Sequence, residues 1–275
     1  MKIYTKLDQT EVLEFLFHPQ KEEKRTSTGY SNIDVTLPDN TVLGCRFYID
    51  DTAAPTILFF HGNGETVCDY DDIAPLFNQL GMNFFVATYR GYGWSGGSPT
   101  VESMMSDCWQ VLYSLQKTMK DMEMSGALFV MGRSIGSASA IELCTDCPES
   151  IKGLIIESGF ADTLPLLSNL GYDPNLNLLD EKDGFGNRDK IGEVTMPTLI
   201  LHGSKDSIIP AHQAERLQAF SGARTKKFFI VPGADHNTVL SQGGELYFST
   251  IKGFIDEVTG KTSWRNRRRK SKSNE

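Results

Sequence analysis

The 275-residue sequence lacks the marks of a disulfide-stabilised or membrane-spanning protein. It has five cysteines, and their odd number and wide scatter do not match the paired framework of small secreted domains. No run of about 18 apolar residues occurs, so the sequence predicts no transmembrane helix. Charged residues occur too early in MKIYTKLDQT for the apolar stretch of a signal peptide. We therefore expect a cytoplasmic protein.

Cys144 and Cys147 form a C-x-x-C pair near the end of a predicted helix. Such pairs occur in redox and metal sites, but no second C-x-x-C and no histidine pair accompanies this one. The simpler interpretation places one cysteine in the core and the other nearer solvent. No metal site is predicted.

Positive charge is scarce over most of the chain. The formal net charge is −8, but residues 261–275 carry +6, so residues 1–260 carry −14. Such an acidic body argues against nucleic acid or an anionic membrane as a partner of the main domain. The basic tail is interpreted as solvated and disordered, and the alternative is contact with anionic surfaces.

Eight segments of strand character alternate with helical patterns. Residues 33–37 alternate in polarity, a turn follows, and residues 42–49 complete an antiparallel hairpin. The later runs are apolar at nearly every position, as in parallel strands that helices cover on both faces. These runs are 56–60, 83–88, 127–131, 153–156, 198–201 and 227–231. The order predicts an α/β fold, a doubly wound and mostly parallel eight-stranded sheet in one domain, residues 1–260.

Helical spacing of apolar residues fills the intervals between the later strands. The predicted helices are 71–80, 101–119, 135–144, 211–220 and 244–258, with Thr100 as the cap of the second. Residues 159–196 form the longest stretch without a clear strand. They are predicted to hold one helix and a loop, and residues 159–186 are the candidate for a short lid.

Gly132-Arg133-Ser134-Ile135-Gly136 matches the pattern G-x-S-x-G. The pattern alone is weak, but here it follows a buried strand and precedes a predicted helix. That setting is typical of a sharp turn that exposes a nucleophilic serine, and the helix N-terminus adds N–H groups and a positive dipole. Ser134 is therefore the candidate nucleophile; the alternative is a serine that only caps the helix.

With further motifs in a fixed order, the sequence resembles the α/β-hydrolase superfamily from about residue 30 to 258. The motifs are Phe17-His18-Pro19, His61-Gly62-Asn63-Gly64, residues 89–95, Gly132–Gly136, Leu201-His202-Gly203 with Asp206, and Gly233–His236. The likeness is greatest to small, lightly capped esterases and thioesterases, including membrane-associated thioesterases that act on acylated proteins. The resemblance implies acyl transfer without a metal or organic cofactor.

A serine hydroxyl needs a base, and the chain has five histidines. His236 lies on a loop after the last predicted strand, which matches the superfamily order of serine, acid and histidine. The alternative is that His236 is an ordinary loop histidine. The resemblance points to Asp206 as the acid that orients the imidazole, with Glu157 as the rival and a turn-capping role as the alternative for Asp206.

An oxyanion that develops on the substrate needs two N–H donors aimed at it. The backbone N–H groups of Asn63 and Ile135 are the candidates, because Asn63 follows a strand end and Ile135 follows the nucleophile. The alternative interpretation of the HGNG segment, residues 61–64, is a simple turn. Phe160 and Leu164 are the candidate substrate-binding residues at the sheet edge; the alternative is ordinary packing of a helix on the sheet.

These features predict a serine hydrolase that transfers an acyl group from an ester or thioester to water. The substrate is a small molecule or an acyl group, and no cofactor is required. Two alternatives stay open, a peptidase or amidase on the same fold and a catalytically silent homologue that binds a small molecule, because fold does not fix function.

Overall fold

The computed structural model describes residues 4–146 and 149–261. The strands are β1 Ser31–Thr36, β2 Val42–Tyr48, β3 Thr56–Phe60, β4 Asn83–Ala87, β5 Leu128–Arg133, β6 Ile151–Glu157, β7 Thr198–Gly203 and β8 Lys226–Val231. They form one sheet in the order β1-β2-β4-β3-β5-β6-β7-β8. β2 pairs antiparallel with β1 and β4, and the remaining neighbours are parallel. The predicted doubly wound, mostly parallel sheet with its antiparallel start is confirmed.

Helices flank this sheet on both faces. Their bounds are α1 Thr10–Leu16, α2 Ala74–Gln79, α3 Val101–Asp121, α4 Gly136–Thr145, α5 Thr163–Asn169, α6 Asn187–Glu193, α7 Ala211–Phe220 and α8 Val239–Val258. The strand β3 shows why its sequence is apolar throughout. Leu58 and Phe60 pack with the helices α3 and α4, whereas Ile57 and Phe59 pack with α2 and α8. A strand with helices on both faces has no position for a solvated side chain.

The helix α1 was not among the helices predicted from the sequence. It is short, no side chain caps its N-terminus, and only Val12 and Leu16 of it are buried. Asp8, just before it, accepts hydrogen bonds from the N–H groups of Val101 at 2.6 Å and Glu102 at 3.2 Å. These bonds fasten the amino-terminal segment to the N-terminus of α3.

Residues 159–186, the candidate lid, contain α5 and two single helical turns, Pro174–Asn177 and Glu181–Asp183. The Glu181 carboxylate accepts the N–H groups at the N-terminus of α5, from Thr163 at 2.5 Å and Leu164 at 3.0 Å. This capping holds α5 over the carboxyl end of the sheet.

Some sequence predictions concern residues that the structure does not describe. Cys144 is buried in α4, but its C-x-x-C partner Cys147 lies outside the described residues, as does all but the first residue of the basic tail 261–275. Within the described ranges, no helix is both long and apolar enough to cross a lipid bilayer.

We expect the substitution Thr100→Ala to lower the free energy of unfolding by about 1 kcal/mol, the usual cost of losing an N-cap. The Thr100 hydroxyl accepts the N–H of Ser103 at 2.9 Å, and the Ser103 hydroxyl accepts the N–H of Thr100. Urea unfolding followed by circular dichroism measures the change. Lys117→Ala, at an exposed position of the same helix, is the control and should stay within about 0.5 kcal/mol of the parent.

Candidate active site

Ser134 lies on a sharp turn between β5 and α4, as predicted. Its φ angle of 54° is in the left-handed region that side chains other than glycine rarely adopt. The flanking glycines permit the turn. A Cβ on Gly132 would meet the Gly136 carbonyl oxygen at 2.3 Å, and a Cβ on Gly136 would meet the Phe60 oxygen at 2.3 Å. The turn therefore depends on backbone packing directly against backbone.

Ser134, His236 and Asp206 form one hydrogen-bonded chain. Nε2 of His236 lies 2.9 Å from Oγ of Ser134, and Nδ1 lies 2.7 Å from Oδ2 of Asp206. All three residues are at most 8% exposed. The second carboxylate oxygen of Asp206 accepts the N–H groups of Ile208 at 3.0 Å and Ile209 at 2.8 Å, which fixes the carboxylate plane. In this arrangement Nδ1–H donates to Asp206 and Nε2 is the acceptor that faces the serine.

The loops that carry Asp206 and His236 also pack backbone against backbone. A Cβ on Gly203, at the end of β7, would meet the Ala234 oxygen at 2.5 Å. The N–H of Lys205 donates to that same oxygen at 2.8 Å. Asp235, next to His236, points away and accepts bonds from Asn237 and Thr238. The carboxylate that reaches the imidazole is therefore that of Asp206.

Glu157, the rival acid, binds other partners. Its carboxylate accepts the hydroxyl of Tyr247 at 2.6 Å and lies 3.3 Å from Nε of Arg133. Burial raises the pKa of Glu157, and the attraction of Arg133 offsets only part of this effect. Glu157 therefore belongs to a polar cluster beneath the site, and Asp206 alone holds the position that the resemblance assigns to the acid.

Arg133, the residue before Ser134, contacts the candidate site but was not among the site residues predicted from the sequence. Its Nη2 donates to the His236 carbonyl oxygen and to the Asn237 side-chain oxygen, each at 3.0 Å. Its Nη1 pairs with Glu65. Burial alone would lower the pKa of Arg133, but the neighbouring carboxylates raise it above its usual value. An arginine at the end of an otherwise buried strand was the available signal, since such a charge requires partners.

The two candidate oxyanion donors border the same cavity as Ser134. Among the described residues, no acceptor takes a hydrogen bond from the backbone N–H of Asn63 or of Ile135. The Asn63 side chain is held in place, because its oxygen accepts the His18 N–H at 2.7 Å and the Tyr92 hydroxyl at 2.7 Å. The N–H of Ser134 itself is bound to the Glu157 carbonyl oxygen and is not a third candidate.

His61, directly after β3, holds this loop by hydrogen bonds. Its Nδ1 lies 2.8 Å from the Gly62 oxygen and its Nε2 lies 3.0 Å from the Thr88 hydroxyl. Burial lowers the pKa of His61, so the imidazole is neutral. We name residues 61–65 the HGNGE loop.

The cavity over Ser134 has a volume of about 210 Å³. Its aliphatic wall comes from separate parts of the chain, and its members are Leu16, Leu166, Leu170 and Ile208. The tentative assignment of Phe160 and Leu164 to this wall is wrong. Phe160 is fully buried against Phe185 in the core, and Leu164 faces a shallow depression beside His212. The helical period placed the right helix at the site, since α5 contributes Leu166 to the wall, whereas Leu16 was missed together with α1.

No arrangement of three or more His, Cys, Asp or Glu side chains suited to a metal ion occurs in the described part of the chain.

Comparisons with known proteins agree with this architecture. Residues 51–170 match the family described as serine aminopeptidase, S33. An Arabidopsis thaliana protein named alpha/beta hydrolase domain-containing protein WAV2 is 28% identical over 250 residues, 85% of this chain and 80% of that protein. Protein bem46 of Schizosaccharomyces pombe is 31% identical over 243 residues, 85% of this chain and 79% of its own. The chain belongs to the α/β-hydrolase family.

Solved structures share the fold of this α/β-hydrolase. The esterase Pf2001 of Pyrococcus furiosus superposes with a TM-score of 0.70 at 17% identity, covering 87% of this chain and 98% of the esterase. A monoacylglycerol lipase of Paleococcus ferrophilus superposes with a TM-score of 0.60 at 18% identity, covering 78% and 99% of the two chains.

An uncharacterized membrane protein of Saccharomyces cerevisiae is 26% identical over 232 residues, 83% of this chain and 80% of its own. The cytoplasmic location therefore stays a prediction.

We expect Gly136→Ala to destabilise the protein by about 2 kcal/mol or more and to distort the turn at Ser134, because the added methyl overlaps the Phe60 and His61 oxygens. Gly253→Ala in α8 is the matched control, since a Cβ there meets nothing within 4 Å and alanine favours the helix by about 1 kcal/mol. Thermal unfolding of both variants measures the difference. A Gly136→Ala protein as stable as Gly253→Ala would contradict the tight contact between α4 and β3.

Proposed function

We propose that this α/β-hydrolase is a serine hydrolase that cleaves an ester or thioester through an acyl-enzyme on Ser134. The observation that carries the proposal is the hydrogen-bonded chain of Ser134, His236 and Asp206 at 2.9 and 2.7 Å. The chain opens onto a cavity that Asn63 and Ile135 also line, and no acceptor among the described residues takes a hydrogen bond from their backbone N–H groups, which are donors of the kind an oxyanion requires.

In the proposed reaction, Oγ of Ser134 attacks the carbonyl carbon of the substrate while Nε2 of His236 takes the hydroxyl proton. Asp206 stabilises the imidazolium through Nδ1. The N–H groups of Asn63 and Ile135 hold the oxyanion of the tetrahedral intermediate. The intermediate collapses, and Nε2 gives its proton to the departing oxygen or sulfur. A water molecule then follows the same route: His236 takes its proton, its oxygen attacks the acyl carbon, and Ser134 leaves with the proton.

The volume and lining of the cavity support a short, apolar acyl group. An engineered cavity of about 150 Å³ holds a benzene molecule. By that scale, a cavity of about 210 Å³ holds an acyl group of roughly four to eight carbons. The aliphatic wall of Leu16, Leu166, Leu170 and Ile208 offers no hydrogen bond to a polar acyl group. A long acyl chain would have to extend into solvent.

Peptidase activity is the second candidate, because the matching family is described as serine aminopeptidase. An aminopeptidase needs a carboxylate near the scissile bond to hold the substrate ammonium group. The described lining of the Ser134 cavity contains no Asp or Glu, and its one permanent charge is the positive charge of Arg133. Ester or thioester cleavage is therefore the better supported function, and a catalytically silent binding protein would not need the complete triad.

We expect the wild-type protein to react with a fluorophosphonate probe and to hydrolyse p-nitrophenyl butyrate. Ser134→Ala should abolish labelling and reduce kcat by about 10⁴-fold or more. Ser139→Ala is the matched control, since its hydroxyl is also buried, lies one helical turn away and has no partner among the described residues. It should keep both activities. A folded wild-type protein that neither labels nor hydrolyses would support the silent homologue instead.

Acyl-chain preference is the second test of the proposed function. Among p-nitrophenyl esters from acetate to palmitate, kcat/KM should peak between butyrate and octanoate. Leu170→Ala removes part of the wall and should raise kcat/KM for octanoate relative to butyrate by about tenfold, the scale set by one or two methylenes in an apolar pocket. Leu164→Ala, at a half-buried position of the adjoining helix α5 but outside the wall, should leave the ratio unchanged. Palmitate as the best substrate would contradict the proposed chain length.

A further inference from the structure

Two separate loops contact the side chain of Arg133, the last residue of β5. Arg133 directly precedes the turn at Ser134. Through Nη2 it binds the carbonyl oxygen of His236 and the side chain of Asn237, both at 3.0 Å. Through Nη1 it pairs with Glu65 of the HGNGE loop. One planar guanidinium thus touches the segments that carry the proposed nucleophile, base and oxyanion donor.

Glu65 continues the connection to the oxyanion side. Its Oε2 accepts the N–H of Gly62 at 2.6 Å and the hydroxyl of Tyr70 at 2.8 Å, while its other oxygen faces Arg133. A Cβ on Gly62 would lie 2.6 Å from Nη1 of Arg133, so the missing side chain lets the guanidinium approach the HGNGE loop. Asn63, the candidate oxyanion donor, directly follows this contact.

Arg133 lies at the border of two cavities. Arg133 and Asn237 line the Ser134 cavity and also a second cavity of about 180 Å³, whose other lining residues include Glu65, Tyr70, Glu157 and Tyr247. Packing around the Arg133 side chain is therefore incomplete, and its hydrogen bonds add to the rigidity of the loops. The side chains of Arg133 and Glu65 are 11% and 23% exposed, so solvent screens their attraction only in part.

We infer that Arg133 and Glu65 are positioning residues that hold the His236 loop and the HGNGE loop in register with Ser134. This inference rests on the proposed function. Arginine suits the task because its fork of donors bridges several acceptors in one plane, which the single ammonium of a lysine does not reproduce. Misplacement of a catalytic group by about 1 Å costs on the order of 100-fold in rate.

The experiment compares Arg133→Met, Arg133→Lys, Glu65→Gln and the double variant Glu65→Gln/Arg133→Met with the wild-type protein. We expect Arg133→Met to lower kcat on p-nitrophenyl butyrate by about 100-fold with KM changed less than about threefold, as for a contribution made in the transition state. Arg133→Lys should recover part of the loss. Because the pair acts as one unit, the double variant should be no slower than Arg133→Met alone.

Lys190→Met is the matched control. It removes another partly buried cation, one that pairs with the Glu142 carboxylate, 2.5 Å away at the far end of α4. This variant should lose stability and keep wild-type kcat. If kcat falls equally in Lys190→Met and Arg133→Met, or if their losses follow only their melting temperatures, the positioning role is wrong. Should Arg133→Met not fold, Arg133→Lys decides, since it keeps the buried charge and loses the bridge; wild-type kcat in that variant would also overturn the inference.

Proton NMR supplies a readout that does not require turnover. The imidazole Nδ1–H of His236, bound to Asp206, should give a low-field resonance in the wild-type protein and in Lys190→Met. We expect exchange with water to broaden it in Arg133→Met, because the His236 loop is no longer held. An unchanged resonance would overturn the inference. Its selective loss in a protein without hydrolase activity would leave the positioning role standing and reject the proposed function alone.

Discussion

The left-handed backbone of Ser134 is the constraint on which the rest of the site depends. A residue other than glycine in this region costs on the order of 1–3 kcal/mol and persists only where its surroundings determine it. Here Gly132 and Gly136 permit direct contact of α4 with the end of β3, and the Ser134 N–H is bound to the Glu157 carbonyl on β6. The turn is thus fixed by its two neighbouring strands. The hydroxyl consequently stands above the carboxyl edge of the sheet, where the loops after β3, β7 and β8 reach it.

The histidines near the site have different roles, which follow from their positions in the fold. His61 and His202 lie at strand ends, and burial lowers the pKa of each, so both are neutral groups that bind nearby backbone oxygens or hydroxyls. His236 instead lies on a loop with a carboxylate on one nitrogen and a hydroxyl on the other.

The two carboxylates around Arg133 also differ, in the direction in which their pKa values are shifted. Burial alone would raise the pKa of Glu65, but Arg133, His61 and the hydrogen bonds from Tyr70 and Gly62 together bring it below its usual value, whereas the pKa of Glu157 stays raised.

The sequence was sufficient for features whose cause is local. A strand with helices on both faces must be apolar throughout, so β3 was predicted at its observed bounds, and the glycines around Ser134 marked the turn. Features that depend on distant partners were not accessible. The helix α1 buries few of its residues, and its role follows from Asp8, which bonds to a helix more than 90 residues away. Arg133 is part of the G-x-S-x-G motif, but its partners Glu65 and His236 lie on separate loops. Those loops come close to Arg133 only through the order of the strands in the sheet. Phe160 and Leu164 were misassigned because the sequence does not say which side chains in and before α5 face the cavity.

The wall and the chemistry of this site come from different parts of the chain. Leu16 from the amino-terminal helix and Leu170 beyond α5 shape the cavity, whereas the hydrogen-bonded chain rests on the sheet and its loops. The bonds from Asp8 to α3 hold that amino-terminal wall without contacting Ser134 or His236. A change of side chain in α1 or α5 would therefore alter the shape of the cavity without removing the hydrogen bonds among Ser134, His236 and Asp206.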